Sequence, residues 1–311
     1  MTSGTVSRAV RICTSEDDLI LDDDLIVGGD NAIALAKLPA STFDLAYLDP
    51  PFNTGRSQAR QTLQVSADAH KGDRTGFGGR RYRSQLLHSL SYDDAFGDYL
   101  GFLQPRIERV RDLLAPHGTL YFHIDYREAH YCKLLLDEIF GRDAFLNEII
   151  WSYDYGAKPR RRWPATHDTI LVYARTVGAH HFDADAVERE PYMAPGLVGK
   201  EKAVRGKRPT DVWFHTIVPT NGREKTGYPT QKPEGVLRRI VSASSRPGGW
   251  CLDPFAGSDT VGAACRNLGR RFVLIDSNPV ALDVMRRRFA DSLSEAVFSG
   301  GRTPDEHNDE Q

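Results

Sequence analysis

Short apolar runs alternate along this chain with segments whose apolar residues recur every three to four positions. Residues 25–27 read as a buried strand that ends in Gly28-Gly29-Asp30, and residues 31–38 then show helical spacing at Ile33, Leu35, Ala36 and Leu38. Pro39 stops that helix, and residues 43–48 form a second buried-strand run closed by Asp49-Pro50-Pro51. The same grammar predicts a helix over 95–114, a strand over 119–124, a helix over 128–140, and strands over 145–151 and 169–173. It resumes with a helix over 233–243, a strand over 250–253, a helix over 258–268, a strand over 272–275 and a helix over 279–289. Strands alternating with helices predict an α/β fold with a largely parallel sheet between helix layers. Ligands of such sheets bind beyond the carboxyl ends of the strands, where Asp49 falls.

Three stretches break the pattern. Residues 1–22 are polar and acidic and are expected to be loose. Residues 53–94 are polar and rich in Gly, Arg and Ser, and are expected to form a long mobile loop. Residues 176–226 lose periodicity and gain Pro, Gly, Lys and Arg, as a small insertion would; after Leu293 the chain reads as a disordered tail.

Composition narrows the class. With 40% hydrophobic and 26% charged residues, the 311-residue chain suits one large domain or a domain with one insertion. No apolar run reaches the roughly 20 residues a membrane span needs, and no signal-peptide core opens the chain, so a cytoplasmic protein is expected. Cys13, Cys132, Cys251 and Cys265 are scattered without C-x-x-C spacing, which points to reduced thiols; no metal-ligand cluster is expected. Net charge is only −2, but base gathers in three places: Arg56 to Arg83, Lys158 to Arg162, and Lys200 to Arg208. A nucleic-acid channel needs such local charge rather than a high overall pI, although solvated faces produce charge runs too.

Two motifs carry chemistry. In Asp49-Pro50-Pro51-Phe52-Asn53, a carboxylate and the Pro50 carbonyl can accept from an aromatic amine and turn its lone pair toward an electrophile. The prolines stiffen the backbone, and Phe52 offers a flat face for a flipped base. Taken alone, the pattern is equally compatible with a simple strand-ending turn. In Asp253-Pro254-Phe255-Ala256-Gly257-Ser258-Asp259-Thr260, a tight Gly loop leads into a helix N-terminus, where backbone N–H groups can receive a carboxylate. Ile275-Asp276 closes the next strand and suits the hydroxyls of a ribose. No G-x-G-x-x-G is present, and Ala263-Ala264 stands where a P-loop needs Lys and Ser/Thr.

Together the two motifs resemble those of the S-adenosylmethionine-dependent DNA amino-methyltransferases, D-P-P-[FY] and F-x-G-x-G-T. Their order resembles that of the β group, in which the catalytic motif comes first. The resemblance runs over roughly residues 25–290 and includes NEIIW at 147–151, HDTILVYAR at 167–175 and GYPTQKPEGVLRRIV at 227–241. It implies a three-layer Rossmann-like methyltransferase sheet of seven strands with the seventh antiparallel, in circularly permuted motif order, with a small inserted target-recognition region. The halves are then a catalytic one at 23–175 and a cofactor-binding one at 227–292, flanking the recognition region at 176–226, with a tail at 293–311.

By the same resemblance Asp49, Pro50, Pro51 and Phe52 bind and activate the target amine. Asp253, Phe255, Gly257, Ser258 and Asp276 line a pocket for S-adenosylmethionine, Asp30 meets its adenine, and Thr230 and Lys232 meet its methionine end. Asp259 departs from the family's Gly and brings a negative charge toward the methionine carboxylate. N6 of adenine in duplex DNA is the favoured target and N4 of cytosine the alternative, because the N4 enzymes more often carry Ser where Asp49 stands. A DNA-binding protein without catalysis is the other-class alternative, and an absent Pro-Cys pair sets C5 chemistry aside. Arg80, Arg81 and Arg83 are expected to hold phosphates, and Lys207 and Arg208 to contact DNA from the recognition region. Duplex DNA is the expected partner, in a nucleoid-associated restriction–modification role, with homodimer formation left open.

Overall fold

The structure is a computed structural model. It describes residues 8–53, 58–67, 74–75, 81–92, 96–153, 155–156, 159–219 and 221–293, with backbone alone for the strands between 58 and 92. A nine-stranded sheet forms its centre. Its strands are β1 (Val10–Thr14), β2 (Asp24–Gly28), β3 (Phe43–Leu48), β7 (Leu114–Ile124), β8 (Phe145–Ser152), β9 (His167–Ala174), β10 (Val212–Phe214), β11 (Trp250–Asp253) and β12 (Arg271–Asp276), in the order β1-β2-β12-β11-β3-β7-β9-β8-β10. All neighbours pair in parallel except β9, which runs antiparallel to both β7 and β8.

The predicted seven-stranded sheet with one antiparallel strand is the stretch from β2 to β8. Two edge strands lengthen it. β1 comes from the segment expected to be loose: Val10 is buried, and β1 pairs with β2 from Val10↔Asp24 to Thr14↔Gly28. β10 comes from the insertion, where the β-prone triplet Val212-Trp213-Phe214 joins β8.

Strand side chains alternate between two buried faces, which makes the fold three-layered. Leu25, Val27, Ala46, Leu48, Phe122 and Ile124 pack with Leu35, Leu103, Ile107, Cys132 and Leu136. Those partners belong to the helices α1 (Asn31–Lys37), α2 (Tyr99–Leu113) and α3 (Ala129–Phe140). Ile26, Leu45, Tyr47, Tyr121 and Leu274 face the other way, onto Leu237, Ile240, Val261, Ala264, Val284 and Met285. These come from α5 (Glu234–Ser244), α6 (Thr260–Asn267) and α7 (Pro279–Arg288); a six-residue α4 (Lys200–Arg205) lies in the insertion.

The expected long loop between 53 and 94 is corrected. Its described parts are β4 (Gln58–Ala67), β5 (Arg74–Thr75) and β6 (Arg81–Tyr92), a three-stranded antiparallel sheet in the order β4-β6-β5. The alternation of apolar and polar residues in Thr62-Leu63-Gln64-Val65-Ser66 is a strand signal that the overall polarity masks. Among the described residues no helix is long and apolar enough to cross a membrane.

Candidate active site

A cleft of about 380 Å³ opens beyond the carboxyl ends of β2, β3, β11 and β12. β11 leads through α6 to β12 on one side, while its neighbour β3 leads through α2 to β7 on the other. The cleft therefore sits where the winding of the sheet reverses, the place where adjacent loops diverge and leave room for a ligand. Its lining includes Asp30, Asp49, Pro50, Pro51, Phe52, Thr230, Lys232, Asp253, Phe255, Gly257, Ser258 and Asp276. Every residue predicted to take part in amine activation or cofactor binding is thus brought to one cavity.

The two loops are shaped differently. The turn after β3 is held at its far end by Asn53, which adopts a left-handed φ of 52°. Its side-chain amide donates to Glu128 at 2.9 Å and its carbonyl oxygen accepts from the Phe96 N–H at 3.1 Å. The Tyr99 hydroxyl donates to the Pro51 carbonyl at 2.6 Å. The turn after β11 is held by carboxylates instead. Asp253 accepts from the Phe255 N–H at 3.0 Å, and Asp276 accepts from the Gly257 and Asn278 N–H groups, each at 2.8 Å. Gly257 has φ 51°, and a Cβ there would stand 3.3 Å from the Tyr228 ring, so this position favours glycine on two counts.

Asp259, where the resemblance expects glycine, also lies in the left-handed region, with φ 63° and ψ 41°. Aspartate tolerates this conformation better than most residues. The side chain does not reach the cleft, so the charge expected near the methionine end is absent from the lining. It turns inward: a Cβ added at Gly262 would meet its Oδ1 at 2.2 Å. Asp259 is wholly buried, and neither carboxylate oxygen has a hydrogen bond of good geometry. Burial pushes its carboxyl well above the usual range, opposed by the charge of Arg288 and the N–H of Gly262. Asp253 and Asp276 are raised as well, again by burial first.

Asp49 has a different setting. Lys232 Nζ lies 2.9 Å from its Oδ1 and 4.6 Å from the centre of the Phe52 ring. By resemblance Lys232 belongs to the methionine end of the cofactor; its contacts are with the amine-activating motif. Asp30 caps α1 by accepting from the Ala32 N–H at 2.7 Å, and Arg106 approaches its other oxygen at 3.6 Å.

Behind Asp49 lies a polar group that the sequence reading did not single out. His123 is fully buried; its Nδ1 is 2.6 Å from the Tyr47 hydroxyl and 3.8 Å from Asp49 Oδ1, and its Nε2 is 3.1 Å from Asp168. Tyr153 donates to the other oxygen of Asp168 at 3.0 Å. Burial would raise the Asp168 carboxyl, but the hydrogen bond and charge of His123 hold it below the usual range, with help from Lys232 and Tyr153. Burial, Asp49 and Asp253 push the Tyr47 phenol well above its usual range. The available signal was a histidine in the apolar run Tyr121-Phe122-His123-Ile124 and an aspartate opening a buried strand.

Of the predicted DNA contacts, the two that are described, Lys207 and Arg208, do not line the cleft. Arg80 lies outside the described residues, as do the side chains of Arg81 and Arg83, whose backbone is in β6. Lys207 exchanges backbone hydrogen bonds with Glu190, and Arg208 pairs with Asp185 at 2.8 Å on the surface. Trp213 is buried beneath the Arg239 guanidinium, whereas Trp163 is 93% exposed.

The switch-point cleft and the permuted order of its two loops define a methyltransferase of the Rossmann-like class. The chain belongs to the N6/N4 DNA methylase family, whose model matches residues 43–287. It is 28% identical to the Type II methyltransferase M.HpaI of Haemophilus parainfluenzae over 277 residues, covering 89% of this chain and 76% of that one. It is 29% identical to the DNA adenine methyltransferase YhdJ of Escherichia coli (strain K12) over 276 residues, 85% of this chain and 81% of that one. Among solved structures, the cytosine-N4-specific PvuII DNA methyltransferase superposes with a TM-score of 0.59 at 14% identity, covering 88% of this chain and 87% of its own. The M1.HpyAVI–SAM complex superposes at 0.54 with 22% identity, covering 85% and 98%.

Proposed function

We propose that this chain methylates N6 of adenine in duplex DNA, with S-adenosylmethionine as donor. The observation that carries the reading is the Asp49–Lys232 contact at 2.9 Å, on a Pro-Pro turn facing the glycine loop across one cleft. The cleft's fit to the donor rests on its own chemistry. Its lining sets the carboxyl groups of Asp30 and Asp276 beside the Phe102 and Phe255 rings, which suit ribose hydroxyls and an aromatic base. The Asp276 oxygens each receive one backbone N–H and keep lone pairs for hydroxyls. Bound there, S-adenosylmethionine supplies a methyl group on a positively charged sulfur.

The chain's residues do the rest. Asp49 accepts one amine hydrogen and the Pro50 carbonyl the other, so the nitrogen lone pair turns out of conjugation toward the cleft. Lys232 holds Asp49 in place, and Phe52 stacks on a base flipped out of the duplex. Asp at position 49 and the 29% identity to an adenine methyltransferase favour adenine over cytosine. The segment 176–226 is assigned to sequence recognition, and Arg80, Arg81, Arg83, Lys207 and Arg208 to phosphate contact.

Incubation of the protein with duplex DNA and methyl-labelled donor, followed by nucleoside analysis, tests the reading. Label is expected in N6-methyladenine. Label in N4-methylcytosine would replace the adenine assignment, and no label on any duplex would overturn the reaction.

A further inference from the structure

We propose that Arg160, Arg161, Arg162 and Trp163, on the loop between β8 and β9, form a DNA-docking element in which the Trp163 indole stacks in the gap that the flipped target base leaves in the duplex. The proposal rests on the base-flipping reading above. The three arginines hold phosphates beside the gap, and the indole replaces part of the stacking that the departed base gave up. The loop takes no part in the chemistry; it stabilises the opened duplex while Asp49 holds the amine.

Three observations carry this. The first is placement. β3 runs parallel to β7, and β7 and β8 both run antiparallel to β9. Ser152, at the end of β8, and His167, at the start of β9, therefore lie at the same edge of the sheet as Asp49. Asp168, the second residue of β9, and Asp49 flank the same His123 ring, at 3.1 and 3.8 Å. The root of the loop is thus one imidazole ring away from the amine-activating carboxylate. The chain from Trp163 to Asp168 extends at most roughly 17 Å, which is the length of about five base pairs along a duplex. Trp163 is tethered within reach of the nucleotides beside the one that enters the cleft.

The second is what the fold leaves in water. Of the four tryptophans, Trp151 and Trp213 are buried, and their indole N–H groups donate to the carbonyls of His215 and Thr210 at 2.7 and 2.6 Å. Trp250 is half-buried, edge-on to Phe43 and beneath the Arg271 guanidinium. Trp163 stands almost wholly exposed, and among the described residues it has no ring partner and no acceptor for its N–H. An indole is among the largest apolar surfaces a side chain can present, so packing gives no reason to hold it there. Tyr155, near the other end of the loop, is exposed as well. Pro164 confines Trp163 to extended backbone and Pro159 fixes the start of the run, so the ring is presented with little backbone freedom left to lose on binding.

The third is charge. Arg160, Arg161 and Arg162 are exposed, residues 159–165 include no acid, and among the described residues none of the three arginines takes part in an ion pair. The insertion differs: Arg189 and Arg208 share Asp185 there, and Arg238 and Arg239 of α5 reach its Glu188 and Glu190. Three uncompensated guanidinium groups beside a free aromatic face match a polyanion with an unstacked base. Their planar forks suit phosphate oxygens, and the ring suits the face of a base. An anionic lipid surface would also attract cations and an indole, but only DNA brings its own atoms to the carboxylate at the root of the loop.

Binding of the full chain to two short duplexes of one arbitrary sequence, one intact and one with a single abasic site, tests the proposal. The abasic site presents the gap whatever sequence the enzyme recognises. Wild type should bind the abasic duplex about 10-fold more tightly than the intact one. That duplex should also shield the exposed indole from acrylamide quenching, which the buried tryptophans resist in either state. Trp163→Ala should lose the preference, and Trp163→Phe, which keeps a flat ring, should retain most of it. Arg161→Gln should weaken both duplexes alike and lower the salt slope by about one. Equal affinity of wild type for the two duplexes, a preference that survives in Trp163→Ala, or an indole equally open to acrylamide with and without DNA overturns the proposal. So does Trp163-dependent binding to phosphatidylserine–phosphatidylcholine vesicles with DNA binding unchanged in Trp163→Ala. Failure of wild type to label any duplex with methyl-labelled donor would instead overturn the underlying reading.

Discussion

Asp49 and Asp259 both stand in loops that follow parallel strands, Asp49 directly after Leu48 of β3 and Asp259 further along the loop after Asp253 of β11, yet they have opposite surroundings. Asp49 lines the cleft with an ammonium 2.9 Å away. Asp259 turns away from the cleft, wholly buried, and burial pushes its carboxyl well up. A carboxyl that opens onto the cleft can meet a substrate hydrogen, whereas one sealed inside the fold is driven by burial toward its neutral acid. Position at the sheet edge makes a residue available for chemistry; the direction in which its side chain turns decides whether it performs any.

The largest effect should follow from breaking the first carboxylate. Asp49→Ala removes the acceptor for the amine and should lower the single-turnover rate by at least about 10³-fold. Donor binding by calorimetry should change by less than about threefold, because the backbone of Gly257 and Asp276 on the opposite loop is untouched. Equal losses of rate and affinity would move Asp49 to the donor's side of the cleft.

Lys232→Met comes next and sharpens the comparison, since the family resemblance and the geometry assign this side chain differently. With its ammonium on Asp49 and over Phe52, loss of the charge should slow transfer about 10- to 100-fold and leave donor affinity within about threefold. A main effect on donor affinity would return Lys232 to the methionine end. Asp276→Ala should do the reverse of Asp49→Ala. It frees the Gly257 and Asn278 N–H groups and removes the carboxylate proposed for the ribose, so donor affinity should fall about tenfold, with a smaller change in saturated rate.

Much of this site could be read from the chain before folding. Asp49 to Phe52 and Asp253 to Ser258 are contiguous, and each follows an apolar strand whose end marks the sheet edge, so local pattern alone carries them there. The helices and inner strands were legible for the same reason. The His123–Asp168–Tyr47 cluster was not, because its members come from three strands and meet only through the pairings of β3 with β7 and β7 with β9. β10 and the β4–β6 pair were missed because their alternation is short or set in polar, basic sequence, where composition outweighs period. Asp259 was half legible: tolerance of positive φ follows from residue type, but inward rotation of the carboxylate depends on the space beside Gly262.

The smallest effect concerns the second carboxylate and is one of stability rather than rate. The folded-state carboxyl of Asp259 is raised above its unfolded value, so the folded chain binds a proton there more tightly than the unfolded chain does. Below the unfolded value both states hold the proton and burial costs least. As pH rises, the unfolded chain ionises freely while the folded chain must either keep a proton or bury a charge, so stability drains away up to the folded value. Asparagine keeps the shape and tolerates the left-handed φ of 63°, but it cannot ionise. Asp259→Asn should therefore melt higher than wild type near neutral pH, by roughly 2–4 °C for each 1 kcal/mol relieved. The gap should close as pH falls toward the ordinary carboxylate range, where wild type also carries a neutral group. Asp276 is not raised by Asp259 and cancels in the difference, whereas Asp253 is raised in part by the Asp259 charge, so its relief in the variant adds to the gap in the same direction. Thermal unfolding of the pair at matched pH values checks this. A gap that is absent at neutral pH, or that widens in acid, would show that Arg288 compensates the ionised carboxylate in place, and Asp259 would then resemble Asp49 more closely than its burial implies.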